Sequence, residues 1–383
     1  MSRSRAFLCR RESGLRPLEE GSGGCSPAFL VDIREAGIDN RGMRAAVFTR
    51  PGRIEFRELP TPVPGPQEAL VRVLGCGVCG TDAHIYAGEF TTARPPVVLG
   101  HEIFGMIEAL GSGTQGWKGG ERVVVDPFIP CGTCSFCKAG EFRFCSSETF
   151  IGYHRNGGFA QFTAVPAANL YLVPKGIDFA GGVLAETLAT VVAGLHKLAP
   201  QPGRSVLLLG AGTVGLLWGA LLHRCLPAAL IQTEIIPERL RYARSLGADK
   251  VLSPREETLE PAVRSLCPDG VDYLIDATGS TQAVTEALPL LKKGGTYLCF
   301  GICPEEERLP LSLTWLYRQQ VSIITSRRPP REMGRAIRLL EQGAVDASAM
   351  VTGRFPLEQC EQAFRLFLGS KDRQIKMAID PWA

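Results

Sequence analysis

Apolar and polar positions alternate in two different styles along the chain. From Met43 to about residue 130 the apolar runs are short: 43–48, 69–74, 104–110 and 122–125 read as strands. Proline and glycine punctuate them, as in Pro60-Thr61-Pro62-Val63-Pro64-Gly65-Pro66. Strands without intervening helical periods predict a small antiparallel, barrel-like unit. Further on, the apolar runs become continuous and alternate with helical periods. Residues 205–209 read as a buried strand, 229–233, 272–276, 296–300 and 321–325 as further strands, and 238–246 and 281–291 as helices. Repeated βα units of this kind imply an α/β fold with a doubly wound parallel sheet. A helix over 184–195 precedes that sheet and carries Glu186 at its start. The tail reads as a helix at 331–341, a strand near 350–355, a helix at 357–368 and a closing strand at 374–379, expected to return to the first unit.

Length supports this division, because 383 residues is long for one core. The predicted units are a leader at 1–42, a β-rich unit at 43–187 plus 331–383, and an α/β unit at 188–330. The leader lacks a sustained period. Arg3, Arg5, Arg10, Arg11 and Arg16 against Glu12 give it a faint likeness to an organellar transit peptide, which Glu19, Glu20, Asp32 and Glu35 dilute. It is expected to be disordered or an over-extended start.

Composition narrows the function classes. A net charge of +3 is too weak to argue for nucleic acid or a membrane surface. No run of eighteen apolar residues occurs, so no bilayer span is expected. Thirteen cysteines could suggest a secreted disulfide scaffold, but the chain is large and most of its cysteines fall in metal-like spacing or apolar runs. A reducing cytoplasm is the better reading, with Cys225, Cys267, Cys299, Cys303 and Cys360 expected as buried small hydrophobes.

Three motifs carry chemistry. The first is Gly77-Val78-Cys79-Gly80-Thr81-Asp82-Ala83-His84, followed by Gly100-His101-Glu102. Thiolate and imidazole are ligands zinc prefers, a catalytic zinc takes three protein ligands and leaves a position open, and neighbouring carboxylates orient or complete the shell. This stretch is expected to hold a zinc ion that polarises an alcohol or carbonyl oxygen. The second motif is Cys131, Cys134, Cys137 and Cys145, a C-x2-C-x2-C-x7-C spacing that suits a closed structural zinc, with iron–sulfur ligation as the rival. The third is Gly210-Ala211-Gly212-Thr213-Val214-Gly215, set between a strand and a helix, with Glu234 at the end of the next strand, 24 positions on. Gly210, Gly212, Val214 and Gly215 would bring the backbone and a helix N-terminus to a pyrophosphate, and Glu234 would accept from the ribose hydroxyls. A carboxylate there repels a 2′-phosphate and Ile235 follows it, so NAD is favoured over NADP. His154, in the turn after Ile151, is read equally as a cleft residue or a plain loop histidine.

From Met43 onward the chain resembles the zinc-dependent medium-chain dehydrogenase/reductase superfamily, because these motifs occur in that family's order. The resemblance implies a GroES-like catalytic domain beside a Rossmann domain, two zinc ions per subunit (one catalytic, one structural), NAD, a small-molecule alcohol substrate and a homo-oligomer, dimer or tetramer. Cys79 and His101 match catalytic zinc ligands. Glu102 matches an acid that ligates zinc in polyol-type members, and Glu186 stands where simple alcohol dehydrogenases carry a third, cysteine ligand. Whether Glu102, Glu186 or water completes the shell stays open. Thr81 matches the hydroxyl that takes the substrate proton, His84 the outer relay member, and Asp82 the acid that props a ligand. Thr190 matches a residue near the nicotinamide, and Arg327 loosely matches a substrate-side arginine. The implied reaction is oxidation of a secondary alcohol, most similar to a polyol, sugar alcohol or cyclitol. The stretch 79–86 is also similar to L-threonine 3-dehydrogenases, and Thr187 departs from the proline often found in polyol enzymes. A non-catalytic NAD-binding relative is the rival of another class, opposed by the presence of Cys79, His101 and Glu102. Oxidation of a formaldehyde–thiol adduct is a further rival, opposed by Glu186 in place of a cysteine.

Overall fold

The computed structural model describes residues 42–304, 306–327, 331–369 and 374–383. The expected leader therefore lies outside the described residues, apart from Gly42.

Two sheets organise the rest. The first has seven strands. Its path runs Leu170–Leu172, Arg122–Val125, Glu102–Leu110, Glu68–Gly77, Lys376–Asp380 and Val351–Pro356, with Phe162–Pro166 also on Glu68–Gly77. Pairing is antiparallel except between the last two strands of the path, which come from the tail. The second sheet is a six-stranded parallel array: Lys250–Leu252, Ala229–Thr233, Ser205–Leu209, Val271–Asp276, Leu291–Cys299 and Ser322–Thr325. Its chain order reverses between Ser205–Leu209 and Val271–Asp276, where ligands of open α/β sheets bind, beyond the carboxyl ends of the strands. The glycine-rich loop leaves the first of these two strands.

The helix Phe179–Leu198 packs against both sheets. It is longer than the pattern predicts. Asp178 caps its N-terminus by accepting from the Gly181 amide at 2.9 Å, so Glu186 lies two turns inside the helix and not at its start. By length and composition this helix is apolar enough to cross a membrane, but 72% of its apolar window is buried inside the protein, as in a core helix. Its apolar residues share one core with Phe104 and Val124 of the first sheet and Val206 and Leu208 of the second.

Other boundaries shift as well. The strand expected to begin at 296 starts at Leu291 and takes in Gly294 and Gly295. The helix over 281–291 stops at Ala287 and tightens into a 3-10 turn. Cys267 and Cys360 are buried, whereas Cys225, Cys299 and Cys303 are only half-buried. All eleven cysteines among the described residues are unpaired.

Asp272 ties the starts of the two central parallel strands together. It accepts from the Ser205 amide and hydroxyl, both at 2.9 Å, and pairs with Arg204 at 3.0 Å and with Lys292. Burial would raise its pKa, but the bonds from Lys292, Ser205 and Arg204 outweigh that and bring it down to about 2. A carboxyl depressed on folding stabilises the native state above its unfolded pKa and loses that contribution as pH falls toward the folded value. Asp272→Asn should therefore lower stability at pH 7 by on the order of 1 kcal/mol after solvent screening. In denaturant unfolding run at successive pH values, the gap from the parent should close between about pH 4 and pH 2.

Candidate metal and cofactor sites

The register of two strands assembles the first site. Gly77 pairs with Glu102 across the sheet, and Gly77 also faces Ala378 of the tail strand. Cys79 thus follows one strand while His101 immediately precedes its neighbour. Only glycine fits at position 77, because a Cβ there would lie 1.9 Å from Glu102 Oε2 and 2.7 Å from Lys376 Cε. Cys79 caps the helix Gly80–Ala87. The Cys79 thiolate, the His101 imidazole and the Glu102 carboxylate place their ligating atoms within 4.8 Å of one another.

Buried groups hold these three in place. Asp82, fully inaccessible, accepts from the Cys79 amide through Oδ2 at 3.1 Å and meets His101 Nδ1 through Oδ1 at 3.3 Å. One carboxylate therefore orients two donors. Thr187 Oγ1 donates to Glu102 Oε1 at 2.7 Å, and Lys376 forms an ion pair with Glu102 Oε2. Thr81 Oγ1 lies 3.8 Å from Cys79 Sγ. Glu186 is buried beside the cluster, but the 4.8 Å group comprises Cys79, His101 and Glu102 without it.

The charges in this pocket call for a cation. Burial would depress the His101 pKa, yet Asp82 and Cys79 hold it well above its usual range. Burial, with Glu102 adding to it against the pull of His101 and Lys376, pushes Glu186 up to about 7. Lys376 is raised despite its burial, chiefly by Glu102 and Cys79. A divalent ion would neutralise this excess of anions, and the mixed sulfur, nitrogen and oxygen donors fit zinc.

The other predicted residues fall around this pocket. His84 lies on the same short helix, half-exposed, with Nδ1 2.5 Å from Glu89 Oε2 and its ring stacked on Phe90. Thr190 sits one turn beyond Glu186 and donates to the Thr187 carbonyl at 2.7 Å. Arg327 is exposed, two residues past the edge strand Ser322–Thr325. His154 caps a turn by accepting from the Phe150 amide at 3.0 Å. Three contributors escape sequence reasoning: Lys376, Thr187 and Tyr153. Tyr153 is buried and its hydroxyl lies 3.1 Å from His101 Nδ1. A lysine within the apolar tail strand is a usable signal for Lys376. Thr187 shows in the sequence only as a departure from proline, and Tyr153 leaves no signal, because their partners are distant in sequence.

In the second site, Cys131, Cys134, Cys137 and Cys145 place all four sulfurs within 4.8 Å of one another. Cys131 and Cys137 Sγ are 3.9 Å apart. A tetrahedron with zinc–sulfur bonds of about 2.3 Å has edges of about 3.8 Å, so the spacing suits a single ion. A multi-iron cluster would hold the sulfurs farther apart. The amides of Cys134 and Cys137 point at the sulfurs three residues back, each at 3.4 Å. Backbone donors from Ser146 and Cys137 bring Cys134 down to about 6, while burial and Cys134 push Cys137 up to about 12. Four adjacent thiols cannot all ionise without a cation, so the lobe fits zinc.

At the cofactor loop, Glu234 Oε2 accepts from the Ala211 amide at 2.9 Å, and Oε1 accepts from Ile235 and Ile236 at 2.7 and 3.1 Å. Gln232, fully buried on the same strand, donates to the carbonyls of Gly210 and Gly215 at 2.9 and 3.1 Å. A Cβ at Gly215 would lie 2.2 Å from Gly210 O, which accounts for the third glycine. Val214 follows Gly212 and Thr213 in the first turn of the helix Thr213–His223, at the N-terminal end suited to a pyrophosphate.

Chelation, or Cys134→Ser, should lower Tm by about 5–10 °C, a loss on the order of 2–3 kcal/mol in a domain of ordinary size. Calorimetry with and without restored zinc checks this. An unchanged melting profile would mean that the lobe does not fold around a metal.

Comparisons agree with this arrangement. Residues 65–175 match the alcohol dehydrogenase GroES-like domain, and residues 213–342 the zinc-binding dehydrogenase family. The chain is 32% identical to D-altritol 5-dehydrogenase of Agrobacterium fabrum, over 83% of this chain and 94% of that one. It is 31% identical to L-threonine 3-dehydrogenase of Pyrococcus horikoshii, over 87% and 97%. A solved Sinorhizobium meliloti protein, assigned as a zinc-binding dehydrogenase and bound to NADP, superposes with a TM-score of 0.84 at 30% identity, covering 89% of this chain and 99% of that one. With two family domains in order and near full-length relatives above the identity at which family is shared, the chain belongs to the zinc-dependent medium-chain dehydrogenase/reductase superfamily.

Proposed function

We propose that the chain is a zinc-dependent, NAD-preferring dehydrogenase that oxidises a secondary alcohol, a polyol, sugar alcohol or related cyclitol, to a ketone. The observation that carries this is the buried cluster of Cys79, His101 and Glu102, with a carboxylate, Glu186, beside it. Carboxylates in place of a further thiolate make a metal site harder and more tolerant of hydroxyl-rich substrates. Similarity to D-altritol 5-dehydrogenase supports the polyol class, and similarity to L-threonine 3-dehydrogenase keeps L-threonine as the second reading. Residues 43–187 and 331–383 would form the catalytic domain and 188–330 the cofactor domain.

Zinc held by Cys79, His101 and Glu102 would supply Lewis-acid polarisation of the substrate oxygen, and NAD on the glycine-rich loop a hydride acceptor. Asp82 orients Cys79 and His101, while Lys376 and Thr187 fix Glu102. Thr81 Oγ1 takes the substrate proton and His84 passes it outward, its half-exposed ring and Glu89 partner suiting an exit to water. Glu234 sets cofactor preference by repelling a 2′-phosphate. Thr190 borders the nicotinamide, and Arg327 is assigned to the substrate side on resemblance.

We also infer a homo-oligomer. The helix Leu313–Gln319 has no buried residue, Leu313 and Tyr317 are 80% and 83% exposed, and Ile323 is exposed on the neighbouring edge strand. An edge strand flanked by apolar side chains can pair with its own copy about a two-fold axis. Sedimentation of the purified chain should give a dimer or tetramer; a monomer at micromolar concentration would reject this.

Purified zinc-loaded protein should reduce NAD with at least one polyol or cyclitol and more slowly with simple alcohols. With NADP, kcat/KM should be about 100-fold lower, since like charges in contact cost several kcal/mol. Cys79→Ser should abolish turnover while leaving NAD affinity within about two-fold, because the cofactor loop is untouched. L-threonine as the best substrate would select the second reading, and an active Cys79→Ser would defeat the zinc assignment.

A further inference from the structure

We propose that Glu89 is a positioning residue that locks the His84 ring in one orientation and one tautomer, leaving Nε2 to receive the proton passed on from Thr81. The inference rests on the dehydrogenase reading above. The local chain is built to hold this ring. The helix Gly80–Ala87 ends at Gly88, whose φ of 84° is left-handed and whose amide donates to the carbonyls of His84 and Ile85. Glycine adopts that conformation at least cost, and a Cβ at Gly88 would lie 3.1 Å from Pro51 Cβ. The turn brings the chain back against the last helical turn, where the amides of Glu89 and Phe90 both donate to the His84 carbonyl, at 2.9 and 3.3 Å. Two side chains then close on one imidazole. Glu89 Oε2 lies 2.5 Å from Nδ1, and the Phe90 ring stacks on the imidazole with centroids 4.8 Å apart and planes 29° apart. A half-exposed histidine would ordinarily sample several rotamers; the acid and the phenyl ring leave this one a single placement.

The chemistry of the pair fixes the proton. A carboxylate offers acceptors only, so the hydrogen between the two groups belongs to Nδ1, which donates to Glu89 Oε2. In the neutral ring the other nitrogen, Nε2, is then a bare acceptor, because the partner of one ring nitrogen decides the state of the other. Without Glu89 the ring would divide between two tautomers, and in one of them Nε2 would carry a hydrogen and accept nothing. During turnover Nε2 takes up the proton passed on from Thr81, the ring becomes an imidazolium, and water removes a proton from Nε2 to restore the starting state. Glu89 keeps its charge throughout and stabilises the cation formed in between, as the acid of a Ser-His-Asp triad does. The carbonyl dipoles at the helix end act in the same direction, since His84 lies in the last turn. A ring set before the reaction need not be reorganised during it.

Glu89→Gln and Glu89→Ala remove the charge from an exposed pair, and each should melt within about 2 °C of the parent. The KM for the best alcohol and the affinities for NAD and zinc should stay within about two-fold, while kcat falls about 3–10-fold with Gln and further with Ala. His84→Gln/Glu89→Gln should be no slower than His84→Gln alone, because the acid acts through the ring. A second measurement needs no turnover. In NMR spectra of protein with nitrogen-15-labelled histidine at about pH 9, where histidine is neutral, the His84 ring of the parent should show Nδ1 protonated and Nε2 bare. Glu89→Ala should show a mixture of tautomers, with His84→Gln identifying the signals. Unchanged kcat in both Glu89 variants, additive losses in the double variant, or an unchanged His84 spectrum in Glu89→Ala would overturn the proposal. If the parent oxidises no alcohol at all, the dehydrogenase reading fails, and the spectra still decide whether Glu89 sets the His84 ring.

Discussion

Glu102 and Lys376 are 1% and 2% exposed, and neither charge would be tolerated there alone. Breaking such a pair by removing one partner typically costs about 3–5 kcal/mol, because the other charge is left buried and uncompensated. The pair joins two strands that also bracket Gly77, whose lack of a side chain leaves room for the contact. That packing brings Cys79 and His101, 22 positions apart, to the same end of the sheet. The tail strand is therefore part of the cluster: without Lys376, the buried Glu102 carboxylate would lose its counter-charge.

The pocket built on this pair holds more negative than positive groups. Cys79, Asp82, Glu102 and Glu186 face one lysine and one imidazole; the raised His101 pKa reflects the anions Asp82 and Cys79, while that of Glu186 reflects first its burial. A bound divalent cation would relieve the excess of anions, as one would among the four thiols of the lobe at 131–145. The two sites differ in what surrounds the donors. Small amide-capped turns close the lobe, whereas the first site has hydroxyls, Thr81 and Tyr153, within reach, suited to moving a proton.

The cofactor loop depends on a different kind of support. Gln232 and Glu234, alternate residues at the end of one strand, hold the loop's carbonyls and an amide from beneath. The helix that follows is tied back to the metal site, because Thr213 Oγ1 donates to the Ile375 carbonyl at 2.5 Å, next to Lys376. One stretch of the tail strand thus touches both the loop that would hold the nucleotide and the residue that fixes Glu102.

Sequence alone determined what local pattern can specify. The change from short punctuated strands to βα alternation marked the two sheets, and the spacing of Cys131, Cys134, Cys137 and Cys145 announced a metal lobe because adjacent turns suffice to close it. The glycine-rich loop was legible for the same reason: strand, turn and helix are contiguous. Tertiary structure decided what depends on side chains far apart in the chain. Glu186 moved from a helix start to the buried seam between the sheets, since Asp178 caps the helix earlier than the apolar period indicates. Glu102, not Glu186, joined Cys79 and His101, because strand register sets which carboxylate reaches them. Thr187, a departure from the family's usual proline when read as a letter, proved to be the donor that holds Glu102. Tyr153 and Lys376 reach the site only through pairing across more than 50 and more than 270 residues respectively; a lone lysine in an apolar strand flags Lys376 as unusual, but no periodicity or spacing names its partner.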